Sequence, residues 1–375
     1  MIRSDFFISA LVAKGIDFFT GVPDSLLKYL CAYIASNLPD EKNCIAANEG
    51  NAIAIAAGYY LATRKIAAVY MQNSGLGNAI NPLLSLTDPA VYNIPLMLII
   101  GWRGEPGVKD EPQHITQGEL TISLLETIGI KQEVLSTDES IAIKQIANAA
   151  EYMKNTGKAF AFIIRKNTFD YYSLPHDNMS FSMTRERALE IVMNYLEPSA
   201  IVVSTTGMLS RELFELREAK GQDHNQDFLT VGSMGHASQI ALGIALQKKN
   251  RIVYCFDGDG ALIMHAGSLA IIAQKQLSNF RHIIFNNGAH DSVGGQPTVA
   301  LQIDLPSVAK AFGYKHVFSV STEKELNDIC ERLINLSSTV FIEIKVNKGA
   351  RADLGRPTIS PVQNKRAFME FIENE

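Results

Sequence analysis

Two short motifs in the second half of the chain have residue types and a spacing that suit metal and phosphate chemistry. Gly258-Asp259-Gly260 follows an apolar run, and Asn287 follows another apolar run, 28 residues after Asp259. The glycines let the backbone approach a bound group closely, and a helix starting there would direct its amide donors at an anion. Carboxylate and carboxamide oxygens suit Mg²⁺. A lone Gly-Asp-Gly is common, but the two motifs together predict a Mg²⁺ ion that holds a diphosphate.

The segments around these motifs follow the order strand, glycine turn, helix and second strand. Residues 251–256 and 280–286 are apolar runs typical of buried strands, and Ala261–Leu277 is helix-like. Both motifs therefore lie where a strand of one βαβ unit ends. Because ligands of such sheets bind at the carboxyl ends of the strands, Asp259 and Asn287 are expected at one site.

Composition limits the classes of protein to which the chain can belong. Its 375 residues suggest two domains, and 47% hydrophobic with 19% charged residues predicts well-buried globular cores. The net charge of −5 gives no electrostatic footprint for nucleic acid. The apolar run Ile94–Ile100 is far too short to cross a membrane. Four separated cysteines without a Cys-x-x-Cys motif, and the lack of a visible signal peptide, predict reduced thiols in a cytoplasmic protein.

Strand-like and helix-like segments alternate along both halves of the chain. We predict a first domain at residues 1–166, a polar linker at residues 167–183 and a second domain at residues 184–375. Each domain is expected to be α/β, with a doubly wound parallel sheet. Arg103–Gly118 is polar and rich in Gly and Pro, which is typical of a functional loop. Lys348–Thr358 has a similar character and is predicted to form a lid-like segment.

The second half repeats landmarks of the first half at a nearly constant offset. The matched pairs lie 185 or 186 positions apart and are Thr20 with Thr206, Gly58 with Gly243, Gly75 with Gly260, and Trp102 with Asn287. A chance likeness between strands of parallel sheets is the alternative, but four aligned landmarks favour a duplication. Ser74 stands where the second copy has Asp259. Only the second copy is therefore expected to hold the metal.

The chain as a whole resembles the thiamine diphosphate-dependent 2-oxo acid decarboxylases. The resemblance rests first on the motifs at 258–260 and Asn287, and it covers nearly the whole length. It implies a pyrimidine-binding (Pyr) domain followed by a diphosphate-binding (PP) domain, without the central domain of pyruvate decarboxylase-like members. Three further segments are most similar to the two-domain members that act on phosphonopyruvate or sulfopyruvate: Gly21–Lys28, Trp102–Gly104 and Gly288–Pro297.

The resemblance also implies which residues bind thiamine diphosphate and its Mg²⁺ ion. The side chains of Asp259 and Asn287 and the carbonyl of Ala289 would bind the metal, while Asn286 is expected to hold the turn. Met234 would lie between the two rings of the cofactor, although plain core packing is the usual role of a methionine. The other cofactor contacts implied by the resemblance are Thr206, Gly232, Ser233, Gly258, Gly260 and Ala261.

Two residues of the first domain are predicted to be catalytic. Glu49 precedes an alanine-rich helix, where alone it would be a charge stabilised by the helix dipole. The resemblance implies instead that Glu49 hydrogen-bonds N1′ of the cofactor's pyrimidine ring. His114 in the polar loop is the candidate proton relay, with a buried, satisfied histidine as the alternative. Because family members combine the two domains from different subunits, the resemblance implies at least a homodimer with shared active sites.

The resemblance implies a carboxy-lyase that acts on a small 2-oxo acid. Phosphonopyruvate is the predicted substrate, and sulfopyruvate is the alternative, because its best-known decarboxylase splits the two domains between two chains. An anionic group at C3 of the substrate requires cations nearby. The predicted substrate contacts are Ser25, Arg103, Lys109 and Arg356. A non-catalytic regulatory module that binds the cofactor is the second class of function, but such a module would not need Glu49.

Overall fold

The protein forms two compact units, divided between residues 176 and 177. The computed structural model describes residues 1–175 and 180–373. Part of the predicted linker, residues 176–179, lies outside the described residues. Of its remainder, Phe169 pairs with Ile2 of the first unit, and the Ser182 hydroxyl donates to the Ser321 carbonyl of the second. Within the described ranges, no helix is both long enough and apolar enough to cross a lipid bilayer.

The first unit is a six-stranded parallel sheet with helices on both faces. Its strands are β1 Phe19–Gly21, β2 Asn43–Ile45, β3 Ala68–Gln72, β4 Met97–Gly101, β5 Lys131–Val134 and β6 Phe160–Ile164. Its helices are α1 Ser4–Val12, α2 Lys28–Asn37, α3 Glu49–Thr63, α4 Leu76–Leu86, α5 Pro112–Thr127 and α6 Glu139–Thr156. Helix α5 corrects the prediction of one long loop at Arg103–Gly118. Pro112 starts this helix, because a proline fits its first turn, where the missing N–H is not needed.

The second unit has the same architecture with a short hairpin added. Its sheet strands are β7 Ile201–Ser204, β8 Asp227–Leu229, β9 Val253–Gly258, β10 Phe280–Asn286, β13 His316–Val320 and β14 Val340–Lys345, and the hairpin pairs β11 Ala289–His290 with β12 Gln296–Pro297. Its helices are α7 Arg185–Met193, α8 Met208–Ala219, α9 Ala237–Gln247, α10 Asp259–Met264, α11 Ser268–Lys275, α12 Leu305–Phe312, α13 Glu323–Leu333 and α14 Pro361–Glu373.

The predicted single helix at Ala261–Leu277 is wrong, because it is divided into α10 and α11. His265 leaves the helical conformation, with φ −135° and ψ 45°, and its ring packs 4.4 Å from the ring of His236. Gly267, which follows, favours a break because glycine stabilises a helix poorly. The break ends α10 after six residues.

The two sheets share one strand order. The first reads β2-β1-β3-β4-β6-β5, and the second reads β8-β7-β9-β10-β14-β13. Element by element these orders coincide, as a duplication requires. In both sheets the order reverses direction beside the first strand, between β1 and β3 and between β7 and β9. Ligands of doubly wound sheets bind outside the strand ends at such a point.

Each sheet is buried on both faces, which explains the nearly continuous apolar runs of its central strands. In β4, Met97 and Ile99 join one core cluster while Leu98 and Ile100 join the cluster on the opposite face. Successive side chains of a strand point to opposite faces, so one strand contributes to both cores. With both faces covered by helices, polar side chains concentrate where the strands end. These findings confirm the predicted α/β class with two doubly wound parallel sheets.

Candidate active site

Strands β9 and β10 end side by side and bring the two predicted metal ligands to one edge of the second sheet. Gly258 lies opposite Phe285 in the parallel register. Asp259 therefore follows its strand at the level of Asn286, the last residue of β10, and Asn287 comes directly after it. Both predicted ligand side chains are buried, with exposures of 2% for Asp259 and 4% for Asn287.

Among the described residues, no cationic side chain pairs with the Asp259 carboxylate. Burial raises its pKa to about 6, and the negative charge of Asp291 adds to the rise. The Thr298 hydroxyl and the amides of Asp259 and Gly260 act in the opposite direction, because they donate to the carboxylate. A buried carboxylate without a countercharge is costly, and a bound cation would remove that cost. The donor chemistry of this position therefore fits Mg²⁺.

The neighbouring asparagines have different partners. The Asn286 side-chain amide donates to Glu343 at 2.7 Å, and its oxygen accepts from the Gly288 amide at 3.1 Å. Asn286 therefore holds the turn, as predicted. Asn287 donates its side-chain amide to Asp291 at 2.6 Å and accepts from the Ala289 amide at 3.0 Å. One lone pair of its oxygen is left for a metal, because a carbonyl oxygen has two.

Open space in front of Gly258 could receive a diphosphate. A Cβ at Gly258 would have as its nearest neighbour the Thr205 methyl group, 4.0 Å away, whereas a Cβ at Gly260 would lie 2.9 Å from the His290 ring. Gly260 thus permits close packing and Gly258 faces space. The Thr205 hydroxyl is buried without a hydrogen-bond partner, and the Thr206 hydroxyl accepts from the Gly232 amide at 3.1 Å. This arrangement lies at the switch point between β7 and β9 and fits the predicted phosphate contacts.

The segment Gly232–Gly235, which contains three of the predicted cofactor contacts, is a tight loop. Gly232, Ser233 and Gly235 all have left-handed backbones, with φ of 72°, 47° and 83°. For Ser233 this conformation is uncommon, and such residues cluster at functional sites. The side chain of Met234 reaches towards the turn at Gly258–Gly260, which is predicted to bind the diphosphate. Its methyl group would lie 3.5 Å from a Cβ at Gly260. The structure therefore places the loop beside the predicted metal and phosphate residues.

Glu49 is the first residue of α3 and is buried, with 6% exposure. The Asn78 side chain of α4 donates to its Oε2 atom at 2.8 Å. Its other oxygen, Oε1, lies so close to Gly75 that a Cβ there would be only 2.4 Å away. Helix α3 is capped by Asn48, whose side chain accepts from the Asn51 amide. The carboxylate of Glu49 is therefore held from two sides.

His114 is a buried residue in the first turn of α5 and is held in its neutral form. Burial lowers its pKa to about 4, and the nearby charge of Arg103 lowers it further, while Asp110 and Gln117 act the other way. Its Nδ1 atom has no hydrogen-bond partner. A neutral imidazole with one unused nitrogen suits proton transfer. The predicted relay role stays a prediction.

Of the predicted substrate residues, Arg103 and Ser25 lie together. Arg103 donates to Asp110 through two nitrogens and to the Ser25 hydroxyl at 2.7 Å. Asp110 thus occupies the fork of the guanidinium. Lys109 is exposed and lines a surface pocket of about 340 Å³ that it shares with Glu105, Asp110 and Glu119.

The segment predicted to be lid-like is docked on α8. We call residues 349–358 of this segment the C-terminal arm. The Gly355 amide donates to Glu215 at 2.5 Å, and Arg211 donates to the carbonyls of Leu354 and Gly355. Arg356, the fourth predicted substrate residue, is exposed at the end of this docked stretch.

The sequence matches two family descriptions that lie in the two units. "Thiamine pyrophosphate enzyme, N-terminal TPP binding domain" matches residues 1–125, and "Thiamine pyrophosphate enzyme, C-terminal TPP binding domain" matches residues 205–344. Curated phosphonopyruvate decarboxylases of Streptomyces viridochromogenes and Streptomyces hygroscopicus are each 34% identical to this chain, over 99% of its length and 95% and 94% of theirs. The chain belongs to the thiamine pyrophosphate-dependent decarboxylases.

This thiamine pyrophosphate-dependent decarboxylase is accordingly a carboxy-lyase, as predicted. A curated sulfopyruvate decarboxylase of Methanosarcina acetivorans is 28% identical over 98% of this chain and 96% of its own length. That protein carries both domains in one chain. The argument that a single fused chain favours phosphonopyruvate is therefore wrong, and the choice of substrate depends on other observations.

Sequence reasoning missed several polar residues that support the site of this decarboxylase. They are Asn78 beside Glu49, Thr298 beside Asp259, and Arg185, Glu212 and Asp291 behind Asn287. Thr298 and Asp291 fall within or next to the motif Gly288–Pro297, so the motif could have marked them. Arg185 lies 106 positions from Asp291, and no local pattern connects the two.

A second buried group of metal-binding residue types lies on strands β9 and β10 of the second sheet. Cys255, Asp257 and His282 have ligand atoms within 4.8 Å of one another. Asp257 accepts from the Gly258 amide at 2.9 Å and faces His282 at 3.3 Å, and His282 faces the Tyr314 hydroxyl at 3.2 Å. Asp257, His282 and Tyr314 are thus linked by hydrogen bonds, and Asp257 connects them to the turn at Gly258–Gly260. Their geometry explains how that turn is anchored.

Proposed function

We propose that the protein decarboxylates 3-phosphonopyruvate to phosphonoacetaldehyde and CO₂, with thiamine diphosphate and Mg²⁺, as a step of phosphonate biosynthesis. The observation that carries the proposal is the 34% identity to two phosphonopyruvate decarboxylases over nearly the full chain, against 28% to a sulfopyruvate decarboxylase. The edge formed by Asp259 and Asn287 supports the metal. The open space at Gly258 supports the diphosphate.

Thiamine diphosphate, when bound, supplies the electron sink that takes the electron pair of the broken C–C bond as CO₂ leaves. Asp259, Asn287 and the Ala289 carbonyl would hold Mg²⁺. Gly258, Gly260, Ala261 and Thr206 would surround the diphosphate, and the loop at 232–235 would grip the pyrimidine. Glu49 would hold a proton at N1′ of that ring. Its contact with Asn78 keeps the carboxylate in one orientation while it does so.

Recognition of the substrate's anion would depend on Arg103. A phosphonate that titrates like a phosphate monoester carries roughly −1.5 to −2 charges, and it must approach a site that already holds a diphosphate. A guanidinium can bind two of its oxygens. Because Asp110 occupies that fork in this structure, the substrate would have to displace Asp110 or bind the outer edge of the guanidinium. Lys109 and Arg356 remain the other candidates.

We also propose a cytoplasmic homo-oligomer, at least a dimer, in which Glu49 of one subunit serves the cofactor held by the other. The family resemblance supports the shared site. All four cysteines are free, and Cys31, Cys255 and Cys330 are buried, which suits a reducing compartment.

The proposal is tested by measuring release of aldehyde and CO₂ from phosphonopyruvate, sulfopyruvate and pyruvate, side by side, with thiamine diphosphate and Mg²⁺. We expect the highest kcat/KM for phosphonopyruvate. Glu49→Gln should still bind the cofactor but lose at least about 10² in rate, because the amide cannot exchange a proton. A preference for sulfopyruvate would favour the alternative substrate. Cofactor binding without turnover of any of the three would indicate a non-catalytic module.

A further inference from the structure

We propose that Asp291, held in place by Arg185, is a positioning residue that orients the side chain of Asn287 towards the divalent cation. The inference rests on the proposed function, in which Asp259 and Asn287 bind that cation. It assigns roles to Asp291 and Arg185, for which the metal-binding motif alone predicts none.

One carboxylate oxygen of Asp291 collects three donors. Its Oδ2 atom accepts from Asn287 Nδ2 at 2.6 Å, from Arg185 Nη1 at 2.8 Å and from the Gly349 amide at 3.0 Å. The two ends of an asparagine amide have nearly the same shape, so packing alone does not choose between them. An ionised carboxylate only accepts hydrogen bonds. Asp291 therefore fixes the nitrogen of Asn287 on its own side and directs the oxygen away from itself.

Arg185 fixes the position of Asp291 from the opposite side. The guanidinium is buried, with 5% exposure, and donates through Nε and Nη2 to the two oxygens of Glu212, both at 2.8 Å. The third nitrogen, Nη1, points to Asp291. Because the guanidinium is planar and rigid, the bidentate contact with Glu212 determines where Nη1 lies. The orientation of Asn287 is thus set by helices α7 and α8.

The same arrangement places a second negative charge behind the predicted metal ligands. The Asp291 carboxylate accepts from the Asn287 side chain at 2.6 Å, and Asp259 supplies the other carboxylate of the site. A divalent cation between Asp259 and Asn287 would be attracted by both. Asp291 accordingly has two reasons to strengthen metal binding, one geometric and one electrostatic.

The experiment compares Mg²⁺ titrations of wild type, Asp291→Ala, Arg185→Lys, Asp259→Ala and Asp328→Ala at saturating thiamine diphosphate. Cofactor binding is followed by calorimetry and by the midpoint of thermal unfolding. Asp328 is an exposed aspartate on α13 and is the matched control for the change of Asp to Ala. Asp259→Ala shows the result expected when a direct ligand is lost.

We expect Asp291→Ala, which removes the acceptor oxygen, to need about ten- to a hundredfold more Mg²⁺ for half-maximal cofactor binding, the range typical when the partner of a metal ligand is removed. Excess Mg²⁺ should restore its activity, whereas a general loss of folding would not respond to the metal. Arg185→Lys should show a smaller shift, because an ammonium cannot hold both carboxylates in a fixed geometry. Asp328→Ala should match wild type.

An unchanged Mg²⁺ requirement in Asp291→Ala, with binding lost in Asp259→Ala, would overturn the positioning role and leave the proposed metal site intact. A wild-type Mg²⁺ response in Asp259→Ala would show that the metal site itself is misplaced, and the inference would fall with it. If Asp291→Ala does not fold, Arg185→Lys carries the test, and an unshifted titration of that variant would count against the proposal.

Discussion

His114 illustrates what burial does to a single side chain. Its folded-state pKa of about 4 lies below the ordinary value of 6.5, so between these values the unfolded chain binds a proton that the folded protein does not. Stability is therefore lost as the pH falls from 6.5 towards 4. The cause is the cost of placing a charge in a buried position beside Arg103.

His114→Phe keeps a ring of similar size but removes the titration. We expect wild type to lose on the order of 3 kcal/mol more unfolding free energy than the variant as the pH falls from neutral to about 4. Urea unfolding of both proteins across this range measures the difference. Parallel pH profiles would show that His114 titrates normally.

Site residues whose partners lie far away in the chain could not be predicted from the sequence. Asp259 and Asn287 could be predicted because a recognisable spacing placed each at a strand end. Arg185 could not, because its partners Glu212 and Asp291 come from other parts of the chain. The sequence predicts Arg103 as a contact of the substrate's anion. Its pairing with Asp110, seven residues away, was not visible in the sequence.

At the scale of elements, the contact between α3 and the turn before α4 controls Glu49. Gly75 lies directly against the carboxylate of Glu49, so an added methyl group would meet it at 2.4 Å. Gly77, two residues later, has open space around its Cβ position. The two glycines therefore form a matched pair for substitution.

Gly75→Ala should displace the Glu49 side chain and lower kcat by at least about tenfold, because catalytic groups work only in the correct geometry. Thiamine diphosphate should still bind, since the predicted phosphate and metal ligands are unchanged. Gly77→Ala should keep full activity and gain roughly 0.5–1 kcal/mol in stability, as expected when alanine replaces glycine in a helix. Steady-state kinetics and urea unfolding of both variants test this. Equal activities would show that Gly75 does not restrain Glu49.

The order and type of the elements followed from the sequence, but their interruptions did not. Alternating apolar runs predicted the parallel sheets, because strands buried on both faces contain little else. The break between α10 and α11 depends on His265 packing against His236, from another element. The start of α5 depends on Pro112, a residue type that is equally common in loops.

At the scale of the whole molecule, a shared site predicts a specific result when inactive chains are mixed. Glu49→Gln lacks a working Pyr half and Asp259→Ala lacks a working PP half, so each chain alone should be inactive. In a mixed dimer, one of the two sites combines both native halves. Co-expression should restore about a quarter of wild-type activity if chains pair at random in a symmetric dimer. No recovery in mixtures shown to contain mixed dimers would mean that each chain builds its own site.

The single oxygen of Asp291 that receives both the Asn287 side chain and the Gly349 amide has a thermodynamic consequence. Gly349 begins the C-terminal arm, which also contacts Glu215 and Arg211 of α8 and Glu186 of α7. If Asp291 orients Asn287 as inferred, the occupancy of the metal and the order of the arm are linked functions, and each must favour the other by the same free energy. Mg²⁺ would then be an effector of the arm as well as a partner of the cofactor. A molecule that captured the arm away from α8 would weaken metal binding without touching the metal.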